Sequence, residues 1–159
     1  MRSREQLLEI MDRVCADVHG LALNAVEVPE RLVVVAGAVA SVVHDQGIDV
    51  FGDGGVVAFV NDSGVPFVEQ SEQLITTARR MKPEAVLLGG SALAGRPGGS
   101  FRRILAVQMF SLAYEIRMAR VAEVQPAQGP IRSVGEWRDA KAGPTAWAEE
   151  ILERADRPY

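Results

Sequence analysis

Residues Val86 to Arg103 read VLLGGSALAGRPGGSFRR, and this stretch constrains the chain more than any other. It opens as an apolar run, passes five glycines and Pro97, and ends on two arginines. Neither a helix nor a strand runs easily through that glycine and proline density, so the apolar residues on either side belong to separate ordered elements. Upstream, Ala85 to Leu88 predicts a buried strand. Downstream, Ile104, Leu105, Met109, Leu112, Ile116 and Ala119 recur at helical spacing, which predicts a long helix over 100–121 capped by Ser100. Val107, Phe110, Tyr114, Met118 and Val121 widen its apolar face, so the helix is expected either central to the core or shared with another subunit.

Elsewhere the punctuation is more ordinary. Ser3 and Gln6 have capping-box spacing ahead of Leu7, Leu8, Met11, Val14, Cys15 and Val18, and Gly20 closes the predicted helix. Between Pro29 and Gln46 a β-branched run meets an alanine-rich one. The reading adopted is one helix opened by Pro29; the alternative is a strand at 31–36, a helix at 38–46 and a strand at 48–51. VVAFV, NDSG and VPFVE over residues 56–69 predict a β-hairpin. Ser71 can cap a helix bearing Leu74, Ile75, Ala78 and Met81, stopped before Pro83. Beyond Pro126 the chain turns Pro- and Gly-rich, with Ser133 and Glu136 spaced as a capping box over a short helical piece and a last helix carrying Trp147 and Ile151.

Composition limits the function classes. The 159 residues carry a formal charge of -4, which argues against the broad electropositive surface a nucleic-acid backbone requires. The longest near-continuous apolar run, Leu32 to Val43, is too short to span a bilayer, and the first residues lead into no signal-type core. Cys15, the single cysteine, leaves no internal disulfide and fits a reducing, cytoplasmic setting.

Chemistry-bearing groups are thinly supplied. His44-Asp45 are sequence neighbours that do not face each other on a helix, and His19 suits the C-terminus of the first helix. Ser91 lacks the glycine two positions on that a nucleophile elbow needs, Leu93 standing there instead. Cys15 lies on an apolar helix face as a core thiol. The Gly/Arg stretch is more suggestive. Arg102 and Arg103 in the first turn of a helix would add positive charge to a positive helix end, and an anion would reverse that sign. Gly98 and Gly99 would let backbone amides approach it, Ser100 offers a hydroxyl, and Arg96 could fork onto phosphate or carboxylate oxygens.

Two resemblances touch these glycines. Gly52-Asp53-Gly54-Gly55 with AVLLGGSALAG (Ala85 to Gly95) resembles the two phosphate-gripping loops of the inosine and guanosine monophosphate oxidoreductase barrels. Such a barrel needs roughly 200 or more residues, and the family's catalytic cysteine loop has no counterpart, Cys15 lying in the first helix. Gly54-Gly55, six residues, then Asp62-Ser63-Gly64 resembles the central-helix signature of hot-dog thioesterases, with Asp53 where many members have histidine. That resemblance implies an acyl-CoA thioesterase and requires Val56 to Asn61 to be helical.

These observations predict a mixed α/β (α+β) protein. One helix-rich domain over 1–125 holds a small mixed sheet of three to four strands, including a hairpin near 56–69. An arm over 126–159 docks on that domain or on a neighbouring subunit. The expected function is regulatory binding of a small phosphate- or carboxylate-bearing anion by a self-associating protein, through Gly89, Gly90, Ser91, Arg96, Gly98, Gly99, Ser100, Arg102, Arg103 and Asp53. A non-catalytic homo-oligomeric adaptor is the alternative. No cofactor, metal, nucleic acid or membrane is expected, and the pattern leaves catalysis open.

Overall fold

The computed structural model describes residues 2–36, 48–53, 55–95, 98–143 and 146–155. Helix α1 (Arg4–Ala22) begins as its sequence requires: Ser3 Oγ accepts from the Gln6 N–H at 3.1 Å and Gln6 Oε1 accepts from the Ser3 N–H at 2.8 Å. This reciprocal pairing satisfies two helix-end donors. The helix runs past Gly20 to Ala22 and buries Leu7, Ile10, Met11, Val14, Cys15, Val18 and Ala22.

Strands dominate the rest, contrary to the helix-rich expectation. They are β1 (Arg31–Ala36), β2 (Ile48–Asp53), β3 (Val56–Asn61), β4 (Pro83–Gly95), β5 (Phe101–Ser111), β6 (Ile116–Gln125), β7 (Ser133–Val134) and β8 (Arg138–Ala140). They form one sheet in the order β2-β3-β1-β4-β5-β6-β7, with β8 also beside β6. Every pairing is antiparallel, so the small mixed sheet is corrected to a large antiparallel one.

The sheet is covered on both faces, and this explains the misread segments. Val33 and Val35 of β1, Ala85 and Leu87 of β4, and Leu105, Val107 and Met109 of β5 pack in the core under α1. Their sequence neighbours Leu32, Val34, Ala36, Val86 and Phe110 pack in a second core on the opposite face, with α2 (Ser71–Arg79) and α3 (Ala146–Ala155). A strand buried on both sides loses its polar alternation and reads as apolar all round. The predicted long helix over 100–121 is therefore two strands, β5 and β6, paired from Ile104↔Glu123 to Ser111↔Ile116. Its reversal is local: the Glu115 N–H donates to the Leu112 carbonyl at 3.1 Å, with Glu115 at φ 52°.

The single helix opened by Pro29 is likewise replaced by β1, while the 38–46 part of that reading lies outside the described residues. The hairpin near 56–69 is half right. Val56–Asn61 is a strand, but its hairpin partner is β2, around Gly55 at φ 83°. Phe67–Gln70 is a 3₁₀ turn instead of a second strand. Asn61 builds the turn that precedes it, over residues 61–65: its Oδ1 accepts from the Ser63 N–H at 3.0 Å and its Nδ2 donates to the Val65 carbonyl at 2.7 Å. The helix expected from Ser71 is α2, preceded by Gln70 as its cap position without a side-chain bond.

The tail packs on its own chain. Ser133 and Val134 pair with β6 where a helical piece was expected, and α3 lies against α2 and β4. Trp147 meets Phe67 edge-to-face, ring centroids 6.2 Å apart at 67°. No helix among the described residues is long and apolar enough to cross a membrane.

Candidate functional site

The β4–β5 hairpin is longer than the sheet that carries it. Strand β1 accompanies β4 only as far as Gly89, and β6 accompanies β5 only from Ile104. Beyond those points the two strands continue as a pair, Ala92↔Ile104 to Gly95↔Phe101. The Ser91 N–H donates to the Val28 carbonyl at 3.0 Å and Ser91 Oγ accepts from the Val28 N–H at 2.7 Å. Past Ser91, no backbone bond to the outer edge of β4 occurs among the described residues.

A cleft of about 390 Å³ opens at the base of this overhang, lined by Val26, Glu27, Ser91, Leu93, Arg103 and Gln128, with Ala92, Ala127 and Gly129. Arg103 builds it. Its Nη1 donates to the carbonyls of Val26 and Gly129 at 2.8 Å each, and its Nη2 to that of Pro126. One guanidinium thus ties together two loops that also bond directly, through Asn24 N–H to the Ile131 carbonyl and Ile131 N–H to the Ala25 carbonyl, both at 2.8 Å. The planar fork of arginine suits several carbonyls at once in a way an ammonium does not.

The predicted anion-binding residues are placed as follows. Ser91 and Arg103 meet in the cleft; Gly89, Gly90 and Ser91 line a smaller pocket of about 190 Å³ with Glu30, Gln108 and Trp147. Gly89 and Gly90 lie inside β4 where other chain crosses closely. A Cβ on Gly90, at φ +141°, would come within 3.1 Å of the carbonyls of Val28 and Pro29. Gly98, Gly99 and Ser100 form the turn at the hairpin's end, and Arg96 lies outside the described residues. Arg102 pairs with Glu123 at 2.5 Å, and Arg138 reaches the same carboxylate at 3.5 Å. Asp53 ends β2, with β3 and β1 standing between it and β4.

The physical premise of the anion cradle changes with these placements. Arg102 and Arg103 lie at the start of β5, so the helix whose positive end they were expected to crowd is not there. What the sequence reading missed is apolar. Leu93 and Phe101 are each 70% exposed and Val26 is 61% exposed. Leu93 and Val26 share the cleft, and Phe101, opposite Gly95, is the diagonal neighbour of Leu93 on the same face. The Phe101 ring covers Gly95 so closely that a Cβ there would stand 2.7 Å from it. Contiguous exposed apolar side chains of this size mark contact surfaces more often than solvated ones. The condition set by the hot-dog resemblance, a helix over Val56 to Asn61, is not met, because those residues are β3. His44 and Asp45 lie outside the described residues, and His19 sits in the last turn of α1. Comparison with known proteins finds no family model, no curated protein and no solved structure that matches this chain.

Proposed function

We propose that this protein is a non-catalytic interaction module that presents the overhanging β4–β5 hairpin to another polypeptide. The observation that carries the reading is the exposed strip of Val26, Leu93 and Phe101 on a hairpin that outruns its sheet. Three further observations agree with a binding role. Ser91 Oγ is engaged by the Val28 amide, Arg103 is enclosed by three carbonyls, and burial pushes the Cys15 thiol up to about 11, so these three groups are held in structural or neutral forms. A cytoplasmic setting belongs to the same reading, since the lone cysteine is a buried thiol suited to a reducing compartment. Self-association keeps weaker support, because the wide apolar helix that suggested it is the interior of the sheet and Trp147 packs against Phe67.

The test replaces Leu93 by a photo-reactive phenylalanine analogue and illuminates the protein in extract from its source cells. Leu112, exposed in the β5–β6 turn at the other end of β5, is the control position. Discrete adducts from position 93 and none from position 112 are expected. Equal labelling at the two positions, or none at 93, removes the reading.

A second reading keeps a small anion in the cleft, favoured by its volume of about 390 Å³, which falls within the range of small-ligand sites. Ser91 and Gln128 would supply hydrogen bonds there and Arg103 the positive charge. Titration calorimetry with inorganic phosphate and a nucleotide panel decides it: heat that disappears in Arg103→Met supports it, and no heat sinks it.

A further inference from the structure

The chemistry of the hairpin says what kind of polypeptide it would take. In a strand pair the backbone groups of successive residues point alternately to the partner and away from it. Because the Ser91 N–H points away from β5, toward Val28, the alternation places the N–H and C=O of Leu93 and Gly95 on the outer edge. That edge has no strand beside it among the described residues. Unpaired edge groups next to an apolar strip are what an added strand uses: backbone bonds supply affinity and alternate side chains supply selection.

Charge selects the partner. No Asp or Glu occurs between Glu84 and Glu115, a stretch holding three of the 17 Lys and Arg, whereas all 21 Asp and Glu lie elsewhere. Beyond Glu84 the hairpin thus carries positive charge and no carboxylate of its own, while Glu27 lines the cleft at its base. Among the described residues Arg103 has only carbonyl partners in the cleft, and Arg102 shares Glu123 with Arg138. Two copies pairing hairpin to hairpin about a twofold axis would bring those arginines together, which like-charge repulsion disfavours.

Resting on the interaction reading above, we propose that the free edge of β4 at Ala92–Gly95 receives an extended partner segment with alternating acidic and apolar residues. Its backbone bonds to Leu93 and Gly95, its apolar side chains lie on Val26, Leu93 and Phe101, and its carboxylates, on the opposite face of the pleat, lie on the side of Arg102.

The test uses the full chain and three capped octapeptides: alternating Val and Glu, alternating Val and Lys, and the Val/Glu peptide N-methylated at alternate residues. Fluorescence anisotropy at low salt is expected to show the Val/Glu peptide binding at least about tenfold tighter than either control. Amide exchange at Leu93 and Gly95 should slow when it binds. Phe101→Ser should weaken it without changing the thermal midpoint. The proposal is overturned if the Lys or N-methylated peptide binds equally well, or if no peptide binds. It is also overturned if the two amides become protected merely on raising protein concentration, which would assign the edge to a second copy. None of these outcomes touches the cross-linking result at position 93, so the two readings fail separately.

Discussion

Gly89 and Gly90 are adjacent, and the sequence alone treats them as equivalent; the structure says that alanine at the two positions should behave oppositely. At Gly90 the backbone sits at φ +141°, in a region that side chains rarely adopt. A Cβ there would meet two carbonyl oxygens at 3.1 Å and the Glu30 Cα at 3.3 Å, all main-chain atoms of the segment crossing β4. Backbone strain of this kind costs about 1–3 kcal/mol, and forcing rigid neighbours apart adds about 1–3 kcal/mol. Gly90→Ala should therefore destabilise by about 2–6 kcal/mol, which for a domain of this size lowers Tm by about 4–24 °C. At Gly89 the φ is ordinary, and a Cβ would find only side-chain carbons of Val18, Arg31 and Val107, each at 3.5 Å. That is normal contact, and relieving glycine's conformational freedom should make Gly89→Ala neutral or stabilising by up to about 1 kcal/mol. Urea and thermal melts followed by far-ultraviolet circular dichroism measure both. Equal effects at the two positions, or a neutral Gly90→Ala, would refute the close approach of residues 28–30 to β4.

Two other expectations can be checked on the same material. Arg103→Met removes the donors to Val26, Pro126 and Gly129 and should cost about 1–3 kcal/mol, with faster amide exchange confined to the loops around residues 24–27 and 126–131; Arg103→Lys should recover only part, and full recovery would contradict the forked geometry. Cys15, raised from 9.0 to about 11 by burial against a smaller opposing effect of Arg120, should react with a disulfide reagent at pH 8 about a hundredfold more slowly than an unperturbed thiol, if thiolate fraction governs the rate. Because its folded pKa is the higher one, the neutral thiol's contribution to stability is whole below pH 9.0 and is lost as pH rises toward 11. A Cys15→Ala variant should lose that alkaline slope, and an unchanged slope would assign it to other groups.

How much was legible follows from how local each instruction is. The start of α1 is written in Ser3 and Gln6, which bond to each other's backbone and need nothing distant. The stretch after Ser71 reads as a helix because one face carries Leu74, Ile75 and Ala78, all buried. Trp147 and Ile151 mark α3 for the same reason. By contrast, Ile104 to Val121 offered helical spacing, alanines and methionines, and nothing in those residues says that Phe110 faces one core while Met109 faces the other. The candidate site was half legible. The Gly/Arg stretch did point to Ser91 and Arg103, but the reason given for them, a positive helix end, required a helix that is a strand. Exposure of Leu93 and Phe101 left no local sign, because an apolar residue in a strand looks the same whether its neighbour strand continues or stops.

The sequence by itself determined the capped helix α1, the amphipathic α2 and α3, the break at the hairpin tip and the lack of acidic residues around it. Each of these depends on contacts within a few residues or on composition. The tertiary structure alone decided that the chain's middle is a sheet covered on both faces, that β1 reaches only to Gly89 of β4, and that the apolar edge beyond it has no strand beside it among the described residues. Sheet pairing joins residues far apart in sequence, and a strand buried on both sides has no periodicity left to announce it.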